Sequence, residues 1–205
     1  MTDLVLVRHG ETVWHHDNRY TGRTDVSLTE RGRQQANLLA HWATHAGLTA
    51  MWASPLSRAQ DTAKAVTSAI GLRATVDDRL TELDFGEGEG LTGQEMAARF
   101  PEARQAFQAD PVAFHLPGGE DPVRAAERAE RCLADVVAAA PEGRVLVVGH
   151  STLHRLVLCR LLGLPLSTYR TVFPVVRNCA ITTVRWTGTG RAALIEFNTR
   201  IEETR

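Results

Sequence analysis

The chain has 205 residues, of which 43% are apolar, and this length and composition suit one globular domain with its own core. Its 23 basic and 24 acidic residues nearly cancel, so no field of the whole molecule would attract nucleic acid or an anionic membrane surface. Neither is expected as a partner. Any preference for anions must come from a local cluster of charges.

The amino terminus carries Asp3 where a signal peptide has positive charge, and the apolar run at residues 4–7 is too short for export or for spanning a membrane. A cytoplasmic location is therefore expected. Three widely spaced cysteines, Cys132, Cys159 and Cys179, fit neither a disulfide framework nor a zinc site. We interpret them as small buried side chains with free thiols.

Two continuous apolar runs lead to histidines. Residues 4–7 are followed by Arg8 and His9, and residues 145–148 precede the glycine before His150. Runs without alternation are typical of strands buried on both faces of a parallel sheet. Ligands of open α/β sheets bind beyond the carboxyl ends of the strands. We therefore expect both histidines to meet in one crevice.

Helical patterns lie between and after these strands. They cover residues 30–46 after a cap at Ser27 or Thr29, residues 57–70 before Gly71, the segment from Asp121 and Pro122 to Pro141, and a segment from Ser151 to Gly163. Strands that alternate with helices predict an α/β fold.

The periodic sheet pattern lapses between residues 86 and 121, which predicts a helical cap over the crevice. Residues 180–186 and 192–197 predict a final pair of strands joined by a glycine-containing turn. We predict one domain over residues 1–205, a three-layer α/β/α sandwich with a mostly parallel central sheet and a small helical cap insertion at approximately 87–125.

Two arginines are candidates for binding phosphate. Arg8 and His9 lie on a tight turn at a strand end, where Gly10 permits close approach of a ligand to the backbone. A neighbouring arginine would keep His9 neutral and nucleophilic. Arg58 falls in the first turn of a helix, where a cation opposes the helix dipole unless an anion binds nearby. A surface ion pair and a solvated arginine are the alternative interpretations.

An acidic, glycine-rich loop at residues 81–90 contains Glu82. A carboxyl group beside an anion site makes sense only if it is protonated in the working state. Such a group would act as a general acid. The alternative interpretation is a solvated loop.

Taken together, these segments resemble the histidine phosphatase superfamily, the phosphoglycerate mutase-like proteins, over nearly the whole chain. Six blocks occur in the order of that family: residues 6–12 around Arg8-His9-Gly10-Glu11-Thr12, residues 18–32, residues 54–63, residues 82–86, residues 117–120 and residues 148–150. Each block alone is a weak indication of the family, and six blocks in the family's order are a specific one.

The resemblance implies a phosphoric monoester hydrolase of the histidine acid phosphatase type that acts on a small phosphorylated substrate. It makes His9 the phosphorylated nucleophile, with Glu82 as proton donor. Arg8, Arg58 and His150 would form the phosphate clamp, and Thr21 and Gly22 would help to line the substrate site. No metal and no cofactor are required. Dimers are common in such families, so a homodimer is one expectation for the assembly.

Two departures from the family pattern affect the substrate site. His15 stands where the family usually has an asparagine that touches the phosphate, so it could add charge or change substrate preference. Ser151 and Thr152 replace a common glycine pair, which changes the shape of the pocket. We include His15 and Ser151 among the substrate-binding candidates.

Several other functions were weighed against the residues. Gly149-His150-Ser151 lacks the small residue that a nucleophile elbow needs two places after the serine. The histidine pairs His41/His45 and His150/His154 lack a third metal ligand, and no P-loop occurs. A non-catalytic phosphate-binding protein would be expected to have lost His9 or Glu82.

Phosphoglycerate mutase activity is the nearest alternative. A mutase needs a closing lid and extra cations for the substrate carboxylate. Residues 83–86 resemble the phosphatase branch of the family, and Asp84 in this segment would repel a carboxylate. The natural substrate stays open. The sequence does not fix the directions of the cap residues that could face the leaving group, namely Phe100, Phe107, Phe114, His115 and Arg124.

Overall fold

The computed structural model describes residues 1–201, and a six-stranded sheet forms its centre. The strands are β1 (Thr2–Arg8), β2 (Ala50–Ala53), β3 (Ala74–Val76), β4 (Arg144–Gly149), β5 (Ile181–Trp186) and β6 (Ala193–Thr199). Their order is β3-β2-β4-β1-β5-β6, with parallel pairing from β3 to β1 and antiparallel pairing at β5 and β6. The predicted α/β fold with a mostly parallel sheet is confirmed.

Seven α-helices accompany the sheet in residues 1–201. They are α1 (Glu30–Ala43), α2 (Ser57–Ile70), α3 (Gly93–Arg99), α4 (Pro101–Ala109), α5 (Pro122–Ala139), α6 (Ser151–Leu162) and α7 (Tyr169–Val172). Helix α1 is three residues shorter than predicted. Of its two candidate caps, Thr29 accepts a hydrogen bond from the Gly32 N–H. Gly163 ends α6 in the left-handed conformation, as its position predicted.

The central strands β1 and β4 are buried on both faces, which explains their lack of alternation. Leu4 and Leu6 face a core shared with α5 and α6. Val5 and Val7 face a second core shared with α1 and α2. Successive side chains of a strand point to opposite faces, so both sides of the strand need apolar residues. The result is one helical layer on each face of the sheet.

The segment between the acidic loop and α5 contains α3 and α4. Its buried side chains Met96, Phe107 and Leu116 belong to the same apolar core as Leu4 and Leu6. The segment is therefore packed against the molecule by its own apolar side chains. Phe114, in contrast, is 54% exposed.

The three cysteines are free and buried, as predicted. Burial raises the pKa of Cys132 and Cys179 to about 12, so both are protonated thiols at neutral pH. Within residues 1–201, no helix has both the length and the apolar composition needed to cross a membrane.

Candidate active site

The carboxyl ends of β1 and β4 bring the two predicted histidines together. Arg8 pairs with Gly149 in the parallel register, and the His9 N–H donates to the Gly149 carbonyl at 3.0 Å. The rings of His9 and His150 lie 5.2 Å apart between centroids. Adjacent parallel strands thus form the crevice that the sequence predicted.

A backbone carbonyl sets the tautomer of His9. Its Nδ1 lies 2.7 Å from the Gly10 carbonyl oxygen, which can only accept, so Nδ1 carries the hydrogen and Nε2 keeps its lone pair. Burial lowers the pKa of His9 well below 6.5, and the charges of Arg8 and Arg58 lower it further. His9 is therefore a neutral base with a free Nε2.

The two predicted arginines are held by neutral acceptors. Arg8 donates to the Val176 carbonyl at 2.8 Å and to Nε2 of His15 at 2.6 Å. Arg58 is fully buried and donates to the carbonyls of Thr24 at 2.8 Å and Gly22 at 2.6 Å. Burial lowers the pKa of Arg8 to about 10, which leaves it charged at neutral pH. Both positive charges are thus positioned without being neutralised.

Unpartnered nitrogen atoms surround His9. Nε of Arg8, Nε of Arg58 and Nδ1 of His150 are buried and have no hydrogen-bond partner. The other ring nitrogen of His150 lies 2.7 Å from the Ser54 hydroxyl. Buried donors without partners cost free energy, on the order of 1–3 kcal/mol each. The guanidinium groups of Arg8 and Arg58 also line the cavity beside His9, where they can bind an anion with several oxygens.

Glu82 is held by the first turn of α6. Its Oε1 accepts from the backbone N–H groups of Leu83 and Leu153, both at 2.8 Å, and its Oε2 accepts from the Thr152 N–H at 2.9 Å. Such donors at a helix N-terminus stabilise a carboxylate. Oε1 uses two acceptor sites and Oε2 only one. Oε2 is therefore the oxygen with capacity left to carry a proton.

His15 contributes a neutral ring to the site. Donors face both of its ring nitrogens: a guanidinium nitrogen of Arg8 lies 2.6 Å from Nε2, and Nδ1 accepts from the Thr12 backbone N–H at 3.0 Å. Burial lowers the pKa of His15 to about 4, with Arg8 as the next cause. The expectation that His15 adds charge is therefore wrong at neutral pH. Its ring orients Arg8 instead.

These side chains surround a cavity of about 350 Å³. All the predicted site residues except His150 line it, and the His150 ring lies 5.2 Å from that of His9. The full lining is Arg8, His9, His15, Asn18, Arg19, Tyr20, Thr21, Gly22, Arg58, Glu82, Phe85, Ser151, Thr152, Arg155 and Arg170.

The cap residues that could have faced the leaving group are absent from this lining. In the described chain, none of Phe100, Phe107, Phe114, His115 and Arg124 contributes to it. Phe107 instead belongs to the apolar core. Asp84, expected to repel a carboxylate, also does not line the cavity; it accepts from the Gly86 N–H. Those predictions followed chain position, which does not show where a side chain points.

Sequence reasoning missed Arg155 and Arg170 in the lining. Arg155 had a signal, since it lies four positions after Ser151 on α6 and thus on the same helix face. Arg170 had none, because a loop separates α6 from α7 and no periodicity crosses it.

Two further polar residues support the site from outside the lining. Glu89 accepts from the backbone N–H groups of Arg23, Thr24 and Phe85, and from the Thr24 hydroxyl. It therefore fixes the loop whose carbonyls hold Arg58. Asn178 donates to the His9 carbonyl at 2.8 Å. Neither had a signal in the sequence.

Within the part of the chain that the structure describes, no group of three or more His, Cys, Asp or Glu side chains is arranged to hold a metal ion.

Known proteins resemble this chain over most of its length. The family model described as "Histidine phosphatase superfamily (branch 1)" matches residues 4–199. Phosphoserine phosphatase 1 of Hydrogenobacter thermophilus is 34% identical over 169 residues, covering 82% of this chain and 80% of the relative. A probable phosphoglycerate mutase of Erwinia tasmaniensis is 32% identical over 184 residues, covering 90% and 85%.

Solved structures extend the similarity to the fold. A mycobacterial glucosyl-3-phosphoglycerate phosphatase superposes with a TM-score of 0.87 at 31% sequence identity, covering 97% of this chain and 99% of that one. The cavity described above thus belongs to a fold that known phosphatases share.

Proposed function

The chain belongs to the histidine phosphatase superfamily, and on that premise we propose that it hydrolyses small phosphorylated metabolites through a phosphohistidine on His9. Phosphatase activity as a class is supported by the family match and by the phosphatases among its relatives. The observation that carries the proposal is the state of His9, a neutral imidazole whose Nδ1 is committed to a carbonyl and whose Nε2 is free beside two buried arginines.

In the first step, Nε2 of His9 attacks phosphorus, and the bond from phosphorus to the ester oxygen breaks. Glu82 gives its proton, carried on Oε2, to the departing oxygen, so the alcohol leaves neutral. In the second step, water attacks the phosphohistidine and the phosphorus–nitrogen bond breaks. Glu82 takes one proton from that water, which restores its starting state and releases inorganic phosphate.

The charge of the transferring group is met by Arg8, Arg58 and His150. The guanidinium groups of Arg8 and Arg58, which line the cavity, are donors for its oxygens, and fixed donors in a buried site stabilise charge that develops in the transition state. The two arginines supply the positive charge that a metal ion supplies in other phosphoryl transfers, so the scheme requires no metal. His150 takes part as a neutral ring, because burial lowers its pKa well below 6.5. The lowered pKa of His9 keeps it nucleophilic in acidic solution, which supports the histidine acid phosphatase type.

Trapping the intermediate tests the mechanism. Brief incubation with a ³²P-labelled monoester should label the protein, and the label should be stable to base, labile to acid and absent in His9→Ala. Turnover should survive chelators. His45→Ala, an exposed histidine after the end of α1 and outside the cavity, is the control and should still be labelled. Chelator-sensitive turnover, or label retained in His9→Ala, would contradict the scheme.

Phosphoglycerate mutase activity is the second candidate, because one relative is described as a probable mutase. The two activities share the phosphohistidine and differ in its acceptor, which is water in one and the substrate in the other. Incubation with 3-phosphoglycerate and a trace of 2,3-bisphosphoglycerate separates them. We expect inorganic phosphate. Rapid formation of 2-phosphoglycerate without phosphate would favour the mutase, and no turnover of any monoester would favour a non-catalytic phosphate-binding protein.

A further inference from the structure

The cavity contains two arginines that the proposed mechanism does not use. Arg155 lies on α6, one turn after the helix begins, and Arg170 lies on α7. Both line the same cavity as His9. A phosphate clamp already exists in Arg8 and Arg58, so the second pair calls for a different ligand group.

Aromatic rings, rather than carboxylates, hold this second pair. The guanidinium carbon of Arg155 lies 5.1 Å from the centre of the Tyr169 ring, and that of Arg170 lies 5.4 Å from the same centre. Arg170 also stacks on Phe107 at 4.5 Å. Tyr169 is 1% exposed, so its ring is a rigid platform. Stacking leaves the edges of both guanidinium groups available for hydrogen bonds.

Few of those donors are used within the protein. Arg155 donates from Nε to the Ser151 carbonyl at 3.2 Å, and Arg170 donates to the Phe107 carbonyl at 3.4 Å. Over residues 1–201, no carboxylate lies within ion-pair distance of either one. Arg19, another lining residue, differs because it pairs with Glu95 at 2.7 Å. The second pair therefore keeps its charge uncompensated.

Keeping these two cations together is unfavourable without an anion. Burial lowers the pKa of Arg155, and the charge of Arg170 lowers it further. The positive charge of Arg155 also lowers the pKa of Arg8. Among residues 1–201, Glu82 is the one acidic residue that lines the cavity. Several cations that repel one another there favour an anionic occupant.

We propose that Arg155 and Arg170 form a second anion subsite that binds an anionic group on the leaving alcohol of the substrate. The inference rests on the proposed function, because it assigns His9 and the first arginine pair to the transferring phosphate. It names the substrate class as a small phosphomonoester with a second anionic group, a carboxylate or another phosphate. The planar forks of both arginines match such groups, and a cavity of about 350 Å³ limits the alcohol to a small molecule.

The first test uses the wild-type protein and two matched pairs of substrates. 3-Phosphoglycerate differs from glycerol 1-phosphate by a carboxylate in place of a hydroxymethyl group, and glycerol 1,3-bisphosphate differs from it by a second phosphate. We expect kcat/KM to be about 10- to 100-fold higher for one of the doubly anionic substrates. The preferred member identifies the anion as carboxylate or phosphate. Equal values for all three would overturn the subsite while leaving the proposed function intact.

The second test asks whether these arginines cause the preference. Arg155→Gln and Arg170→Gln should each reduce the ratio of kcat/KM between the preferred substrate and glycerol 1-phosphate by about tenfold. Arg124→Gln is the matched control, an exposed arginine of α5 outside the cavity, and should leave the ratio unchanged. A purely structural role would lower both kcat/KM values together and keep the ratio, which would overturn the proposal. Failure of the wild type to hydrolyse any of the three would instead count against the proposed function.

Discussion

The cavity holds its two arginine pairs in different ways. We call the part with Arg8, Arg58 and His9 the inner half and the part with Arg155 and Arg170 the outer half. Backbone carbonyls and a neutral ring fix Arg8 and Arg58 around His9. Aromatic faces support Arg155 and Arg170, with few hydrogen bonds. A reacting phosphorus atom requires fixed donors, since small misplacements cost rate. The leaving group, in contrast, differs among substrates. The way the arginines are held therefore separates a part of the site that performs the chemistry from a part that selects the substrate.

The largest effect should come from the inner half. Arg58→Ala removes a buried donor to the transferring oxygens and should lower kcat/KM by on the order of 10³-fold for every substrate. Steady-state kinetics on an alkyl and an aryl phosphate would measure it. Arg73→Ala, an exposed arginine beyond the end of α2, is the control and should change little. A loss below tenfold would remove Arg58 from the clamp.

Glu82→Gln should have an effect that depends on the leaving group. Glutamine cannot donate the proton that an alkoxide needs, so kcat/KM should fall by about 10²- to 10⁴-fold for alkyl phosphates. Nitrophenyl phosphate should lose far less, because its leaving group needs no proton. Glu87→Gln, an exposed residue of the same loop, is the matched control. Equal losses on both substrates would deny Glu82 the role of acid.

Glu89→Gln tests whether the inner half depends on its supports. An amide has one acceptor oxygen in place of two, so the loop that holds Arg58 loses hydrogen bonds. We expect kcat/KM to fall about tenfold on alkyl and aryl phosphates alike, because the change acts through the clamp. A loss confined to alkyl phosphates would instead point to a role in proton transfer.

The smallest effect concerns stability against acid. Burial lowers the pKa of His15 to about 4 and that of His154 to about 3. The pKa of histidine in the unfolded chain is about 6.5. Below that pH the unfolded state takes up more protons than the folded state, so the free energy of unfolding should fall. Each such group contributes a slope of up to about 1.4 kcal/mol per pH unit.

Urea unfolding at pH 7.0, 5.5 and 4.5 would measure this slope. His15→Asn removes one of the buried imidazoles and should make the decline shallower between about pH 6.5 and 4. An unchanged pH dependence would show that His15 does not remain neutral in the folded protein.

The sequence predicted the inner half of the site better than the outer half. Arg8, His9 and His150 end buried strands, and register forces the ends of adjacent parallel strands together. Helix α2 could likewise be located from its ending at Gly71. The outer residues depend on tertiary packing that no local pattern encodes. Arg170 stacks on its neighbour Tyr169 and on Phe107, and the contact with Phe107 joins two distant segments.

The loop before β5 has a consequence for how the molecule folds. Arg8 donates to the carbonyl of Val176, and the His9 carbonyl accepts from Asn178, across separations of 168 and 169 positions. Contacts of such high sequence separation close a loop of nearly the whole chain, and their entropic cost slows folding. The helices can form from local contacts long before these bonds do. Enzymatic turnover therefore reports the completion of folding, and a chain emerging from the ribosome would stay inactive until the segment around Asn178 had joined the first strand.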